Sequence, residues 1–246
     1  MNYTRTVVIG DVHGCLDEFV SLVETCVQPR DRVICIGDFL DKGPDPVGCV
    51  QYARTRGFEA VLGNHEDWHL RWRRHENRVR EQPGYVNPMR PHSPEDIEAN
   101  RALEGDDIAW LRNLPVYIIV GRYVVVHGGL MPGVPVEKQE KNRIIRLRWL
   151  DSDGDYVATR YDAPRPDDSQ HWTEVYDGNL SVIYGHEAFS LSQPRITNRP
   201  QGVRCIGIDT GVVHGGRLTA FIVEEDRFVQ VQARERYASP LFPIPA

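Results

Sequence analysis

The chain has 246 residues, 41% of them hydrophobic, with a formal charge of −6 and a pI near 5.9. That length can bury a substantial core, and the acidic balance argues against a general nucleic-acid coat protein while leaving room for a local basic groove. No apolar run approaches the ~20 residues that cross a bilayer, no charged-then-apolar leader opens the sequence, and the five cysteines are scattered without Cys-x-x-Cys pairs, so a cytoplasmic protein with reduced thiols is expected.

The run Val7-Val8-Ile9 reads as a first strand broken by Gly10-Asp11, after which Leu16, Phe19, Val20, Val23 and Val27 recur at helical spacing. A second strand beginning at Val33 breaks at Gly37-Asp38. Residues 46–56 read as a helix stopped by Gly57, and 58–62 as a strand running into Gly63-Asn64-His65. The stretch 66–80 looks helical and is rich in Arg and Trp, whereas 82–94, broken by Pro83, Gly84, Pro88, Pro91 and Pro94, reads as a loop. Ser93, Pro94 and Asp96 mark a helix start, and another short helix is expected over 106–114. Strands return at 116–120, 123–126, 182–184, 205–209, 218–223 and 228–232, the later ones close enough in sequence to pair as antiparallel hairpins. The pattern predicts an α/β fold in which mixed β-sheets pack as a central sandwich flanked by helices. A single domain over 1–246 is expected, with 67–113 as a helical and loop insertion over the site and 234–246 as a loose tail.

Apolar runs that break at Asp11, Asp38, Asn64-His65, His127 and His186 carry the chemistry, because strand ends of an α/β sheet converge on one crevice. Asp11 and His13 can leave one turn toward a single ion, Asp38 can bridge two ions through its separate oxygens, and Asn64, His127 and His186 can complete the second. Mixed Asp, His and Asn donors suit manganese, iron or zinc. Two such ions about 3.5 to 4 Å apart would lower the pKa of a bridging water toward ~7 and clamp phosphoryl oxygens. The pocket therefore calls for an anion.

The series Asp11-Val12-His13-Gly14, Gly37-Asp38-Phe39-Leu40-Asp41-Lys42-Gly43, Gly63-Asn64-His65-Glu66, His127-Gly128-Gly129 and Gly185-His186 resembles the ordered motifs of the phosphoprotein-phosphatase family within the calcineurin-like metallophosphoesterases. The stretches from Gly207 to Gly211 and from Gly215 to Ala220 are similar to its bacterial diadenosine tetraphosphatase-like branch. The resemblance implies Asp11, His13 and Asp38 on a first metal, and Asp38, Asn64, His127 and His186 on a second. It also implies His65 as the general acid oriented by Asp41, and Lys42 and Asn64 against phosphate. Manganese is the expected metal, with iron or zinc as alternatives. The implied function is hydrolysis of phosphoanhydride or phosphomonoester bonds in dinucleoside polyphosphates or related nucleotide ends, an RNA end included. A Ser/Thr or Tyr protein phosphatase acting on phosphoproteins is the alternative, and a non-catalytic phospho-ligand binding module a remote one. The sequence departs from the pattern at Lys42, where many members carry Arg, and at Gly185-His186-Glu187-Ala188, which lacks the second His of the nuclease branch.

Of Arg146 and Arg148, one is expected to reach phosphate, and Arg148 is favoured. The arginines at 71, 74 and 78 fall on one helical stripe that is either a solvated face or a grip on distal phosphates. Trp68, Trp72 and Trp110 read as packing rather than base-stacking platforms. His69, His75, His92, His171 and His214 read as surface or hydrogen-bonded side chains. Asp151, Asp153 and Asp155 lack the Gly and Glu of a calcium loop and read as a polar turn.

Overall fold

The computed structural model describes residues 3–158, 166–240 and 244. In chain order its first half runs β1 (Thr6–Ile9), α1 (Leu16–Cys26), β2 (Arg32–Cys35), α2 (Pro46–Thr55), β3 (Glu59–Ala60), α3 (Asn64–Glu81), α4 (Pro94–Ala102) and α5 (Gly105–Arg112). There follow β4 (Tyr117–Val120), β5 (Tyr123–Val126), α6 (Lys141–Ile144), β6 (Trp149–Leu150), β7 (Tyr156–Val157), β8 (Gln170–His171), β9 (Ser181–Tyr184), β10 (Arg195–Asn198), β11 (Arg204–Gly207), β12 (Asp209–Thr210), β13 (Arg217–Ile222) and β14 (Arg227–Gln232). One sheet has the order β12-β13-β1-β2-β3, with β14 also paired to β13; a second has the order β10-β11-β9-β5-β4; and β7-β6-β8 make a small third.

Strands β1, β2, β5 and β9 are near-continuous apolar runs because both faces are covered. In β1, Val7 and Ile9 face α1 and α2 while Val8 faces the second sheet; in β2, Val33 and Cys35 face the helices and Ile34 the second sheet. The same two-residue period sends Val125, Ile183 and Ile206 into the space between the sheets and Val124, Val126, Val182 and Cys205 to the outer side. A helix layer, two sheets and an outer layer result, so the expected sandwich flanked by helices is observed. Among the described residues no helix is long and apolar enough to cross a membrane.

Several expectations change in detail. The third strand is only two residues long, since Leu62 bonds through its N–H to the Pro115 carbonyl and leaves the sheet. Strand β9 joins no hairpin; it lies parallel between β5 and β11, so that its end meets the end of β5. Ser93 caps α4 as its sequence suggests, its Oγ accepting from the Asp96 N–H at 3.1 Å. The segment 151–155 is the polar turn, with Asp151 Oδ1 accepting from the N–H groups of Asp153 and Asp155 at 3.0 and 2.9 Å. The tail expected to be loose is tied down at its start, where Tyr237 and Ala238 bond to the Val213 carbonyl and the Arg234 N–H to Glu18. All five cysteines are buried free thiols.

Candidate metal centre

Strands β1, β2 and β3 run parallel, as do β5, β9 and β11, so their carboxyl ends gather at one edge of the sandwich. Asp11, Asp38, Asn64, His127 and His186 each stand just beyond such an end. Glycine precedes His186 and Asn64 for a steric reason: a Cβ on Gly185 would lie 2.0 Å from Asp11 Oδ1, and one on Gly63 would lie 2.2 Å from Asp38 Oδ1. The Gly185-His186 peptide closes over Asp11, whose oxygens accept from the His186 N–H at 3.1 and 3.3 Å.

Asp38 sits at the centre. Its Oδ2 lies 3.3 Å from His127 Nε2, 3.5 Å from His13 Nε2 and 3.7 Å from His65 Nε2. It therefore belongs to two triads capable of holding a cation, one with His13 and His65 and one with His127 and His186. Asn64 Oδ1 and His186 Nδ1 approach His127 Nε2 to 2.9 and 3.1 Å. Asp11 stands beside these triads rather than in either of them.

The imidazole tautomers follow from the outer contacts. His13 Nδ1 donates to the Leu40 carbonyl at 2.9 Å and His127 Nδ1 to the Ile36 carbonyl at 2.8 Å, leaving both Nε2 lone pairs aimed at the centre. The ring nitrogens His127 Nε2 and His186 Nδ1, the Asn64 oxygen and the Asp38 carboxylate then face one another. Only a positive charge satisfies such a donor set. Cations of the protein itself already lean into it: Lys42 Nζ donates to His13 Nε2 at 2.9 Å.

Titration behaviour agrees. Burial pulls His127 down, but the Asp38, Asp11 and Glu66 charges outweigh it and raise its pKa to about 9, so that without a metal a proton on Nε2 supplies the positive charge the cluster calls for. Burial and the neighbouring Asp209 push Asp11 well above the usual carboxylate range, the mark of uncompensated negative charge. His13 is held low by burial and Lys42, and His186 by burial and Arg148, so both are neutral and ready to donate lone pairs. Asp38 is held low despite its burial by His127, His65 and His13. The residues present thus fit divalent metal.

Beside the centre, His65 Nδ1 donates to Asp41 Oδ2 at 2.5 Å. Sequence reasoning missed what holds Asp41. His69 Nε2 donates to Asp41 Oδ1 at 2.6 Å, and Asn100 Nδ2 donates to His69 Nδ1 and to the His69 carbonyl, both at 3.0 Å. His92 Nδ1 lies 3.4 Å from Asp41 Oδ2 and its ring stacks on Trp68 at 3.7 Å. Burial alone would raise Asp41, yet the bonds from His65, His69 and His92 drive it far below the usual range.

Glu66 was also missed as a scaffold. Fully buried, it accepts from the N–H groups of Asp38, Phe39, Leu40 and Gly63 at 2.8, 2.9, 3.3 and 3.2 Å, fastening the Asp38 loop to the start of α3. Of the two arginines, Arg148 donates to the His186 carbonyl at 2.9 Å, whereas Arg146 pairs with Asp67 at 2.7 Å. Trp68 stacks on Trp72 and His92, and Trp110 packs on Phe39, so packing claims these rings. His214 Nδ1 bonds the Ala238 carbonyl at 3.0 Å, fixing the tail.

Comparison with known proteins adds independent findings. The family profile described as calcineurin-like phosphoesterase matches residues 4–190. The chain is 26% identical to the asymmetrical bis(5'-nucleosyl)-tetraphosphatase PrpE of Oceanobacillus iheyensis, covering 96% of this chain and 95% of that one. It is 26% identical to the symmetrical bis(5'-nucleosyl)-tetraphosphatase of Aromatoleum aromaticum, over 94% and 98% of the two. A crystal structure provisionally described as a diadenosine tetraphosphatase shares the fold at a TM-score of 0.73 and 23% identity, over 93% of each chain.

Proposed function

Because this chain belongs to the calcineurin-like phosphoesterase family, whose members are metal-dependent hydrolases, we propose that it hydrolyses dinucleoside polyphosphates such as diadenosine tetraphosphate with two divalent ions, manganese first among them. The observation that carries the metal reading is Asp38, one buried carboxylate facing His13 on one side and His127 with His186 on the other. In this reading Asp11, His13 and Asp38 hold one ion, and Asp38, Asn64, His127 and His186 the other. The bound ions would polarise the phosphoryl group and acidify a water. The chain's own residues do the rest. His65 protonates the leaving oxygen through Nε2, since its Nδ1 is committed to Asp41. Lys42 and Arg148, one cationic group on each side of the ligand cluster, steady the phosphoryl oxygens with the Asn64 amide.

The nucleotide substrate is supported by the names of the relatives, of both the symmetrical and the asymmetrical kind. Five buried free thiols agree with a reducing cytoplasm, and ligands running from Asp11 to His186 agree with one domain. The test is a panel with added manganese comparing diadenosine tetraphosphate, inorganic polyphosphate, a phosphopeptide and an aryl phosphate, with the products separated. The tetraphosphate should have the highest kcat/KM and yield either two ADP or ATP with AMP. A preference for the phosphopeptide would replace this reading with that of a protein phosphatase.

A further inference from the structure

Helix α3 starts at the ligand Asn64, and Asp67, Arg71, Arg74 and Arg78 follow on the same stripe at helical spacing. At 1.5 Å per residue the stripe carries Arg71 about 10 Å and Arg78 about 21 Å along the axis from the metal centre. It faces a groove in two joined parts, of about 510 and 410 Å³, whose other walls include Lys141, Arg146 and Arg112. Six cationic side chains thus meet two carboxylates, Asp67 and Glu81.

Asp67 is already shared among Arg146, Lys141 and Arg71, at 2.7, 2.8 and 3.7 Å. Arg74, Arg78 and Arg112 form no ion pair among the described residues; Arg78 only rests on the Tyr85 ring. A surface stripe kept for solubility would mix both signs of charge. This one instead leaves its positive field unspent, and that field reaches His75, whose pKa is lowered by desolvation and by Arg74, Arg78 and Arg71. The near end of the groove lies beside the reaction centre: its wall includes Asp67, three residues after Asn64 on α3, and Arg146, two residues before the Arg148 that bonds the His186 carbonyl.

We propose that this groove binds the distal phosphates of an extended polyphosphate substrate, so that the chain selects for phosphate number. A single phosphate monoester has nothing to place there. The proposal rests on the nucleotide reading above and deepens it.

The experiment measures kcat/KM for diadenosine tri-, tetra- and pentaphosphate and for an aryl phosphate, in the manganese-loaded wild type, in an Arg74→Gln, Arg78→Gln, Arg112→Gln variant and in the corresponding Lys variant. Removing three arginines that hold no carboxylate should lower the tetraphosphate-to-aryl ratio roughly tenfold or more, mainly through KM, as expected for lost hydrogen bonds to charged groups at an open site. The gain with phosphate number should flatten, the salt dependence of KM should weaken, and the Lys variant should recover part of each effect. A wild type that prefers the tetraphosphate, beside a Gln variant that keeps the same ratio and length dependence, overturns the groove proposal alone. If wild type itself shows no preference for dinucleoside polyphosphates, the nucleotide reading fails and the groove proposal with it.

Discussion

Replacing Asn100 by Leu tests whether the insertion acts on the chemistry or only covers it. The side chain is 3% exposed, and Leu keeps its volume while deleting the two donors that reach His69 Nδ1 and the His69 carbonyl at 3.0 Å. In the native protein the donor to Nδ1 leaves the ring proton of His69 on Nε2, which donates to Asp41 Oδ1 at 2.6 Å. Without that donor the ring can take the other tautomer and turn a lone pair toward the carboxylate. Loss of a hydrogen bond to a charged group is worth about 1.5–3 kcal/mol, which caps the effect near ~150-fold in rate. Part of the ring population will keep the native tautomer, so kcat should fall roughly 10–100-fold, as for other residues that orient an active group from behind. The assay pairs phenyl phosphate, whose leaving oxygen needs a proton, with 2,4-dinitrophenyl phosphate, whose leaving oxygen does not. The loss should appear on the first and shrink to less than about threefold on the second, because only His65 is disturbed. Equal losses on both, with melting temperature and manganese content unchanged, would refute the chain from Asn100 through His69 and Asp41 to His65.

Three further outcomes follow from the same geometry. His65→Asn should lower kcat on diadenosine tetraphosphate by roughly a hundredfold or more while leaving bound manganese intact by elemental analysis; undiminished turnover would dismiss His65 as the acid. Gly185→Ala should abolish metal loading in a still folded protein, because its Cβ would stand 2.0 Å from Asp11 Oδ1 and 2.3 Å from the Ile36 side chain, and calorimetric titration with manganese reads this directly. Asp67 is held below the usual carboxylate range, since its bonds from Lys141 and Arg146 outweigh its burial. A depressed folded pKa stabilises above the unfolded value of about 3.9 and loses that contribution as pH falls. Urea unfolding should therefore show Asp67→Asn less stable than wild type by about 1–2 kcal/mol at pH 7, discounted for the exposure of Lys141, with the gap closing toward pH 3; a gap that widens in acid would reverse the assignment.

The gathering of these side chains at one edge was legible because most of them follow the end of a strand, and a strand buried on both faces is written as a short apolar run whose end is easy to see. Gly63 and Gly185 sharpened the signal, since the carboxylates of Asp38 and Asp11 lie where a Cβ would be. The partners of Asp41 had no such signature. Asn100 lies 31 residues from His69 in sequence, on a helix whose packing against α3 no local pattern announces. His69 itself falls among Arg and Trp on a helix that looks solvated from its sequence, yet it is fully buried. Strands β6, β7 and β8 escaped notice for a related reason: two-residue strands are too short to display a period. Choosing between Arg146 and Arg148 required knowing that Asp67 faces one and the His186 carbonyl the other.

Backbone conformation explains why Glu66 is needed although it touches neither substrate nor metal in the proposed reaction. His13, Asp38, Asp41, Lys42 and His186 all have positive φ, between 44° and 73°, where an L side chain costs about 1–2 kcal/mol. Glycine would relieve that strain and delete the side chain the proposed reaction uses, so the strain has to be offset by neighbours. Around Asp38 the offset is visible. Glu66 gathers the N–H groups of Asp38, Phe39 and Gly63, with that of Leu40 longer at 3.3 Å, and Asp38 Oδ1 accepts from the His65 N–H at 3.1 Å. Hydrogen bonds to a carboxylate contribute about 1.5–3 kcal/mol each. Burial and the Asp38 charge raise Glu66 to about 7, so near neutrality part of its population is uncharged and the lower end of that range applies. Three such bonds still exceed the cost of holding Asp38 in a left-handed conformation. The carboxylate that bridges the two triads is thus held in its strained position by a second carboxylate one helical turn beyond Gly63.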